Sequence, residues 1–185
     1  MKRSLLAAAV VATAAVAGGC GAAPEPAAAP APAPATQAAL APPVIAPVGA
    51  PAPGIPALVG TPTDLTAPLQ AGAGTADPPA GLLAQDIVVG TGPVAAPTDT
   101  VAVRYTGTLY ADGTQFDSSW SEGDAPIQFP LDGVVPGFAQ GIEGMQVGGR
   151  RVIVIPPALG YGSRTTGPIP GNSTLVFVVD LVALS

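Results

Sequence analysis

Aromatic side chains are the residues best suited to form a site in this sequence, and they are unevenly placed. All eight lie at or after Tyr105, and the stretch from Val103 to Trp120, VRYTGTLYADGTQFDSSW, holds half of them. The chain has no histidine and a single cysteine, which excludes Ser-His-Asp catalysis and the usual structural zinc sites. The remaining chemistry is that of a ring-lined site with a few polar groups, in the second half of the chain.

The composition limits both the number of folded units and the kinds of partner. Alanine and proline dominate the first 80 positions of this 185-residue chain, and such a tract buries too little apolar surface to offset the entropy cost of its own ordering. We therefore expect one folded unit, near the C-terminus. The 12 acidic residues outnumber the 6 basic ones, which argues against nucleic acid as a partner because phosphate recognition depends on clustered cations.

The first 20 residues, MKRSLLAAAVVATAAVAGGC, have the pattern of an export signal. Lys2 and Arg3 form the positive end, and the apolar run from Ser4 to Ala17 is shorter than the roughly 20 residues that span a bilayer. The single cysteine, Cys20, occupies the position that a bacterial lipobox requires. We predict a lipoprotein signal peptide over residues 1–19 and diacylation of Cys20, since two acyl chains anchor a protein stably. An ordinary secretory signal, with an incidental Cys20, is the alternative.

Residues 20–80 are predicted to be a disordered, Ala/Pro-rich tether. Proline stands at 15 positions between Gly21 and Pro79, and it disfavours both helix and sheet because it lacks an amide donor and restricts the residue before it. A polyproline-like spacer at about 3.1 Å per residue would reach on the order of 100 Å or more. Such a spacer would hold a domain away from a membrane surface.

The pattern changes after residue 80, and residues 81–185 are predicted to form an α+β domain. An Asp-Gly turn within Leu109 to Asp117 predicts a hairpin or tight strand connection. Phe138, Ile142 and Met145 fall at helical spacing between flanking glycines. Runs rich in β-branched residues predict about five strands, one in each of the stretches 82–90, 100–109, 127–131, 150–156 and 173–184.

Three separated motifs in this region, in this order, resemble the FKBP-type peptidyl-prolyl cis-trans isomerases over residues 82–185. They are VRYTGTLYADGTQFDSS, VVPGFAQGIEGMQVGGRRVIVIPPALGYG and IPGNSTLVFVVDLVAL. The resemblance implies a twisted antiparallel sheet wrapped around one short helix, with an apolar pocket between them that accepts a proline ring. It implies no cofactor and no metal.

The resemblance also implies which residues form the pocket. Phe138 would be the platform beneath the proline, Tyr161 would offer its hydroxyl to a substrate carbonyl, Asp117 would lie at the rim beside Tyr105, and Val135 would present backbone groups. The implied catalytic residues are Tyr105, Phe116, Asp117, Phe138, Tyr161 and Phe177, and the implied substrate-binding residues are Ile127, Val134, Val135 and Ile169.

A ring-lined site is consistent with this reaction on physical grounds. Rotation about an X-Pro bond has a barrier of about 18–20 kcal/mol, whereas the two isomers differ by only about 0.5–1 kcal/mol. A catalyst needs no nucleophile if it binds the twisted amide better than the planar one. The alternative is a proline-binding or chaperone module without turnover. It is suggested by Phe138, where the family commonly has Trp, and by a loop between Leu131 and Val134 that is one residue short. The flap at residues 163–168 also departs from the commonest family pattern.

Other side chains have simpler interpretations. Phe129 is predicted to fill the core, Trp120 to be either a loop anchor or an exposed client contact, and Arg150 and Arg151 to be a solvated strand start. The expected partners are proline-containing segments of exported or unfolded proteins. We expect a monomer outside the cytoplasm, anchored through Cys20 to the bacterial cell membrane, or to an outer membrane if the host has one.

Overall fold

The computed structural model describes residues 44–46 and 52–185. The predicted signal peptide and Cys20 lie outside the described residues. So does the predicted tether up to residue 51, apart from residues 44–46. No helix in the described part of the chain is both long and apolar enough to cross a membrane. The strands are β1 (Val44–Ala46), β2 (Leu58–Val59), β3 (Gln70–Ala71), β4 (Leu83–Val88), β5 (Thr100–Leu109), β6 (Gln115–Ser118), β7 (Ile127–Pro130), β8 (Arg150–Ile155) and β9 (Leu175–Leu184).

Seven of these strands form one sheet in the order β1-β4-β8-β9-β5-β6, with β7 also paired to β5. Every pairing is antiparallel except that of β1 with β4. Each of the five predicted stretches contains a strand, and β6 is the second strand of the predicted hairpin. The predicted antiparallel sheet with one helix is therefore confirmed.

The β5–β6 hairpin closes on the predicted Asp-Gly turn. The Asp112 carboxylate accepts the Thr114 amide at 2.9 Å, and Gly113 has a φ of 73°, which glycine adopts without a steric penalty. This local geometry fixes the register that brings Gly107 of β5 opposite Asp117 of β6.

The helix α1 (Pro136–Ile142) packs on the inner face of the sheet, the face that carries Ile153, Ile155 and Phe177. It begins with proline at the first turn, where a missing amide donor costs nothing. Met145, which the helical spacing included, lies just beyond the helix because Gly144 turns the chain with a φ of 77°. All three spaced residues are nevertheless buried.

Two glycines allow α1 to lie close to β8. Gly137 and Gly141 are one turn apart, and a Cβ on either would overlap with Ile155 or Ile153 of β8. The backbone of α1 therefore lies almost directly on the inner face, where the next residue, Phe138, is buried in the same core cluster.

Residues 52–80, which we call the strap, correct the predicted boundary of the tether. Ile55, Leu69 and Ala71 are buried against the outer face of the sheet, which carries Val152, Val154, Val176 and Val178. Proline disfavours long ladders, and the strap has only the two-residue pairing of β2 with β3. The rest of its backbone is irregular and still covers an apolar surface. The ordered region therefore begins well before residue 81.

Arg150 and Arg151 correct the prediction of a solvated strand start. Both are buried, with Arg150 paired to Asp180 and Arg151 paired to Asp86. They alternate across β8, so Arg150 faces the strap. Arg151 donates to the Gly141 and Glu143 carbonyls at the end of α1, where a cation also complements the helix dipole.

Candidate functional site

Three aromatic rings on the inner face form the floor of the candidate site. Phe138 of α1 meets the Phe177 ring of β9 edge-on, with centroids 5.1 Å apart. Tyr105 of β5 lies 6.3 Å from Phe138 and 6.1 Å from Phe177. These separations are within the range of favourable aromatic contacts, and all three residues are buried. Helix and sheet together therefore provide an apolar surface made of rings.

Half-buried side chains pack around this floor. Phe116 of β6 contacts Phe177 edge-on at 5.5 Å, and Ile127, Val134 and Tyr161 are partly buried against the same core. These residues come from four different segments, so only the fold brings them together.

Gly107 of β5 makes the contact between Phe116 and Phe177 possible, and the sequence interpretation missed it. A Cβ at this position would lie 2.8 Å from two atoms of the Phe116 ring and 3.0 Å from the Phe177 ring. Glycine inside a strand often marks such a close approach. The signal was therefore present in the motif YTGTL.

The polar groups of the site lie at one edge of the ring cluster. The Tyr105 hydroxyl donates to Asp117 Oδ2 at 2.7 Å, and Asp117 Oδ1 accepts the Ser118 amide at 2.8 Å. Burial, and secondly the negative charge of Asp117, raises the pKa of the Tyr161 hydroxyl. Tyr161 therefore remains a neutral hydrogen-bond donor at ordinary pH.

Two further predicted residues are held by backbone hydrogen bonds. The Val135 carbonyl accepts the Phe138 amide at 2.9 Å and the Ala139 amide at 3.2 Å, so the N–H of Val135 is the group it has left to offer a ligand. Ile169 is buried and exchanges two backbone hydrogen bonds with Thr166, each 2.9 Å long. These bonds close the tip of the loop that follows Tyr161.

The structure thus brings nine of the ten predicted pocket residues into one inner-face cluster. The tenth, Asp117, accepts a hydrogen bond from Tyr105, a member of that cluster. Phe129, predicted as core filling, joins the same cluster, with its ring 6.0 Å from Tyr105 and 6.2 Å from Phe138. Cys20 lies outside the described residues. No group of three or more potential metal ligands occurs among the side chains that the structure describes.

Trp120 lies away from the cluster, in a short 3-10 helix after β6. The Arg104 guanidinium lies 5.4 Å from the centroid of its ring and donates to the Asp124 carbonyl at 2.7 Å. Because Arg104 and Tyr105 are adjacent on a strand, their side chains point to opposite faces. These contacts favour the loop-anchor interpretation of Trp120.

Comparisons with known proteins agree with this geometry. A family model described as "FKBP-type peptidyl-prolyl cis-trans isomerase" matches residues 92–182. The "FK506-binding protein" of Streptomyces anulatus is 47% identical over 112 residues, which cover 58% of this chain and 90% of that protein. "FKBP-type peptidyl-prolyl cis-trans isomerase FkpA" of Escherichia coli K12 is 46% identical over 102 residues, which cover 55% of this chain and 37% of that protein.

Solved structures give the same result. The crystal structure of FkpA from Escherichia coli aligns with a TM-score of 0.53 at 45% identity and covers 57% of this chain and 48% of that one. The crystal structure of AtFKBP13 aligns with a TM-score of 0.53 at 36% identity and covers 58% of this chain and 95% of that one. The chain therefore belongs to the FKBP-type peptidyl-prolyl cis-trans isomerase family.

Proposed function

We propose that the ring cluster binds the proline of an X-Pro segment and isomerises the preceding bond without a covalent intermediate. The observation that carries this proposal is the floor of Tyr105, Phe138 and Phe177, with a hydrogen-bonded carboxylate at its edge. The proposed catalytic residues are Tyr105, Phe116, Asp117, Phe138, Tyr161 and Phe177, and the proposed binding residues are Ile127, Val134, Val135 and Ile169.

The rings lower the barrier by favouring a less polar state of the amide. Twisting the X-Pro bond removes amide resonance, so the carbonyl loses charge separation and is less strongly hydrated. An apolar floor therefore stabilises the twisted state more than the planar one, which is the condition for catalysis. Each 1.36 kcal/mol of this difference accelerates the reaction tenfold.

A few polar groups orient the client backbone over the floor. The N–H of Val135 donates to one client carbonyl, and the neutral Tyr161 hydroxyl donates to another. Asp117 holds the Tyr105 hydroxyl at 2.7 Å, which fixes the Tyr105 ring against the edge of Phe138. These contacts align the flanking residues, while the proline itself meets only rings.

The proposed clients are exported or unfolded proteins, met outside the cytoplasm by a monomeric enzyme. Cys20, at the lipobox position, is the proposed acylation site, after removal of residues 1–19 as a signal peptide. Residues 20–43 would then connect the lipid anchor to the domain, whose sheet includes β1, at a bacterial cell membrane or an outer membrane. Uncatalysed isomerisation takes about 10–100 s, long enough for newly exported chains to aggregate.

A chromogenic X-Pro peptide assay on residues 20–185 tests the activity. We expect the cis-to-trans rate to rise in proportion to enzyme concentration. A folded sample with rates equal to buffer would contradict catalysis. A parallel titration with a proline peptide detects the binding-module alternative, which predicts saturable binding without acceleration. Relatives named as isomerases favour the enzyme over that alternative.

A further inference from the structure

We propose that the strap, residues 52–80, is a fixed part of the catalytic domain and the built-in partner of the outer face of its sheet. The domain needs the strap to keep that face closed to solvent and to other chains. The match to the family model begins at residue 92, so the strap lies outside that match.

The guanidinium of a buried ion pair in the sheet attaches the strap. Arg150 is 0% exposed, and its Nε and Nη2 atoms both donate to Asp180, the second at 2.6 Å. The same guanidinium donates to strap carbonyls, through Nη2 to Ala67 at 2.9 Å and through Nη1 to Pro62 at 3.2 Å and Thr61 at 3.3 Å. The strap therefore helps to bury this cation and also supplies carbonyl acceptors for the donors that Asp180 leaves free, as a buried charge requires.

Apolar contacts and backbone hydrogen bonds extend this attachment along the strap. Leu69 is 1% exposed and packs on the valines of the outer face, while its carbonyl accepts the Thr106 hydroxyl at 2.5 Å. The Gly74 amide donates to the Tyr110 carbonyl at 2.8 Å. At the other end, the Ala52 amide donates to the Gln85 side chain at 3.1 Å. The strap is therefore attached to three different strands of the sheet.

The residues beneath the strap directly adjoin the proposed pocket in sequence. Thr106 stands between Tyr105 and Gly107, and Val176 and Val178 flank Phe177. Because side chains alternate across a strand, the strap and the pocket lie on opposite faces of the same strands. An uncovered outer face would expose a contiguous apolar patch, which promotes association between chains.

A pair of substitutions within the strap of the full chain tests the proposal. Leu69→Ser removes a buried contact, whereas its matched control Val59→Ser changes a residue that is 64% exposed. We expect Leu69→Ser to lower Tm by roughly 10 °C, from typical costs of emptying a core site, and to form oligomers in size-exclusion chromatography. Val59→Ser should keep the wild-type Tm and remain monomeric. Equal Tm values for both variants would overturn the proposal.

Limited proteolysis of the unmodified full chain gives an independent result. Thermolysin cleaves before Leu, Ile and Val, which occur within the strap and again at Leu82 and Leu83. We expect the smallest stable product, by mass spectrometry, to begin at Ile55 or earlier in the chain. A stable, folded product that begins at Leu82 or Leu83 would refute the proposal. Neither experiment measures isomerase activity, so their failure would leave the proposed function untouched.

Discussion

Replacing Gly107 with alanine adds one methyl group to the proposed pocket wall and nothing elsewhere. The new Cβ would lie 2.8 Å from Cε2 and Cζ of Phe116 and 3.0 Å from Cε1 of Phe177. Carbon atoms prefer separations of about 3.5–4.0 Å, so at least one ring must move by more than half an ångström. Phe116 is half-buried, whereas Phe177 is enclosed between helix and sheet. Phe116 is therefore the ring that yields.

The expected cost differs between folding and catalysis. Overpacking a core typically costs about 1–3 kcal/mol, and the ability of Phe116 to shift toward solvent places this variant near the lower end, at about 1 kcal/mol. A displacement of about 1 Å in a positioning group can cost as much as 10²-fold in rate. We therefore expect kcat/KM for an X-Pro peptide to fall about tenfold or more, while Tm falls by only a few degrees.

Two other glycines provide matched controls in the same assays. Gly81→Ala adds a Cβ that meets nothing within 4 Å, so both Tm and kcat/KM should stay unchanged. Gly137→Ala forces a Cβ into Ile155 between α1 and β8, so it should lower Tm more than Gly107→Ala does. Full wild-type kcat/KM in Gly107→Ala would show that the Phe116 wall takes no part in catalysis.

Further substitutions test other parts of the proposal. Asp117→Ala should lower kcat/KM by at least tenfold because it releases the Tyr105 hydroxyl. Trp120→Ala, outside the ring cluster, should change kcat/KM less than twofold. Equal losses of kcat/KM in the two variants would refute the site. The raised pKa of Tyr161 keeps its hydroxyl neutral above pH 10, where a tyrosine in the unfolded chain ionises. The neutral Tyr161 hydroxyl therefore contributes its full stabilisation of the folded state below pH 10, and this contribution is lost as pH rises through the folded-state pKa. In the wild type, kcat/KM should persist above pH 10. In Tyr161→Phe, kcat/KM should show no alkaline loss beyond that caused by unfolding. Cys20→Ser should move the protein from the membrane fraction to the soluble fraction of its host, and unchanged fractionation would exclude the lipid anchor.

Much of the domain was predictable because its signals are local. Asp112 and Gly113 specify a turn through their own backbone preferences, and alternating β-branched residues specify strands before any partner is known. The aromatic residues were also informative, since six of the eight rings converge on the inner face of the sheet. The motifs then predicted ten site positions that the fold gathers around α1 or joins to Tyr105.

The charges of β8 could not be interpreted from local pattern. A pair of arginines before a run of valine and isoleucine normally indicates a solvated strand start, since isolated buried cations are costly. Arg150 and Arg151 are buried because Asp180 and Asp86, distant in sequence, are brought next to them by strand pairing. Only the sheet register determines which carboxylate meets which guanidinium.

By itself, the amino-acid sequence determined the strands, the turn and the short helix, because each depends on residue type at short spacing. The tertiary structure alone decided that residues 52–80 pack on the sheet and how the rings meet. Composition classed residues 52–80 as spacer, but an apolar sheet face and a buried guanidinium provide the contacts that hold them. Gly107 likewise acquires its importance only when Phe116 and Phe177 are brought against it, because close approach is a property of the packed molecule.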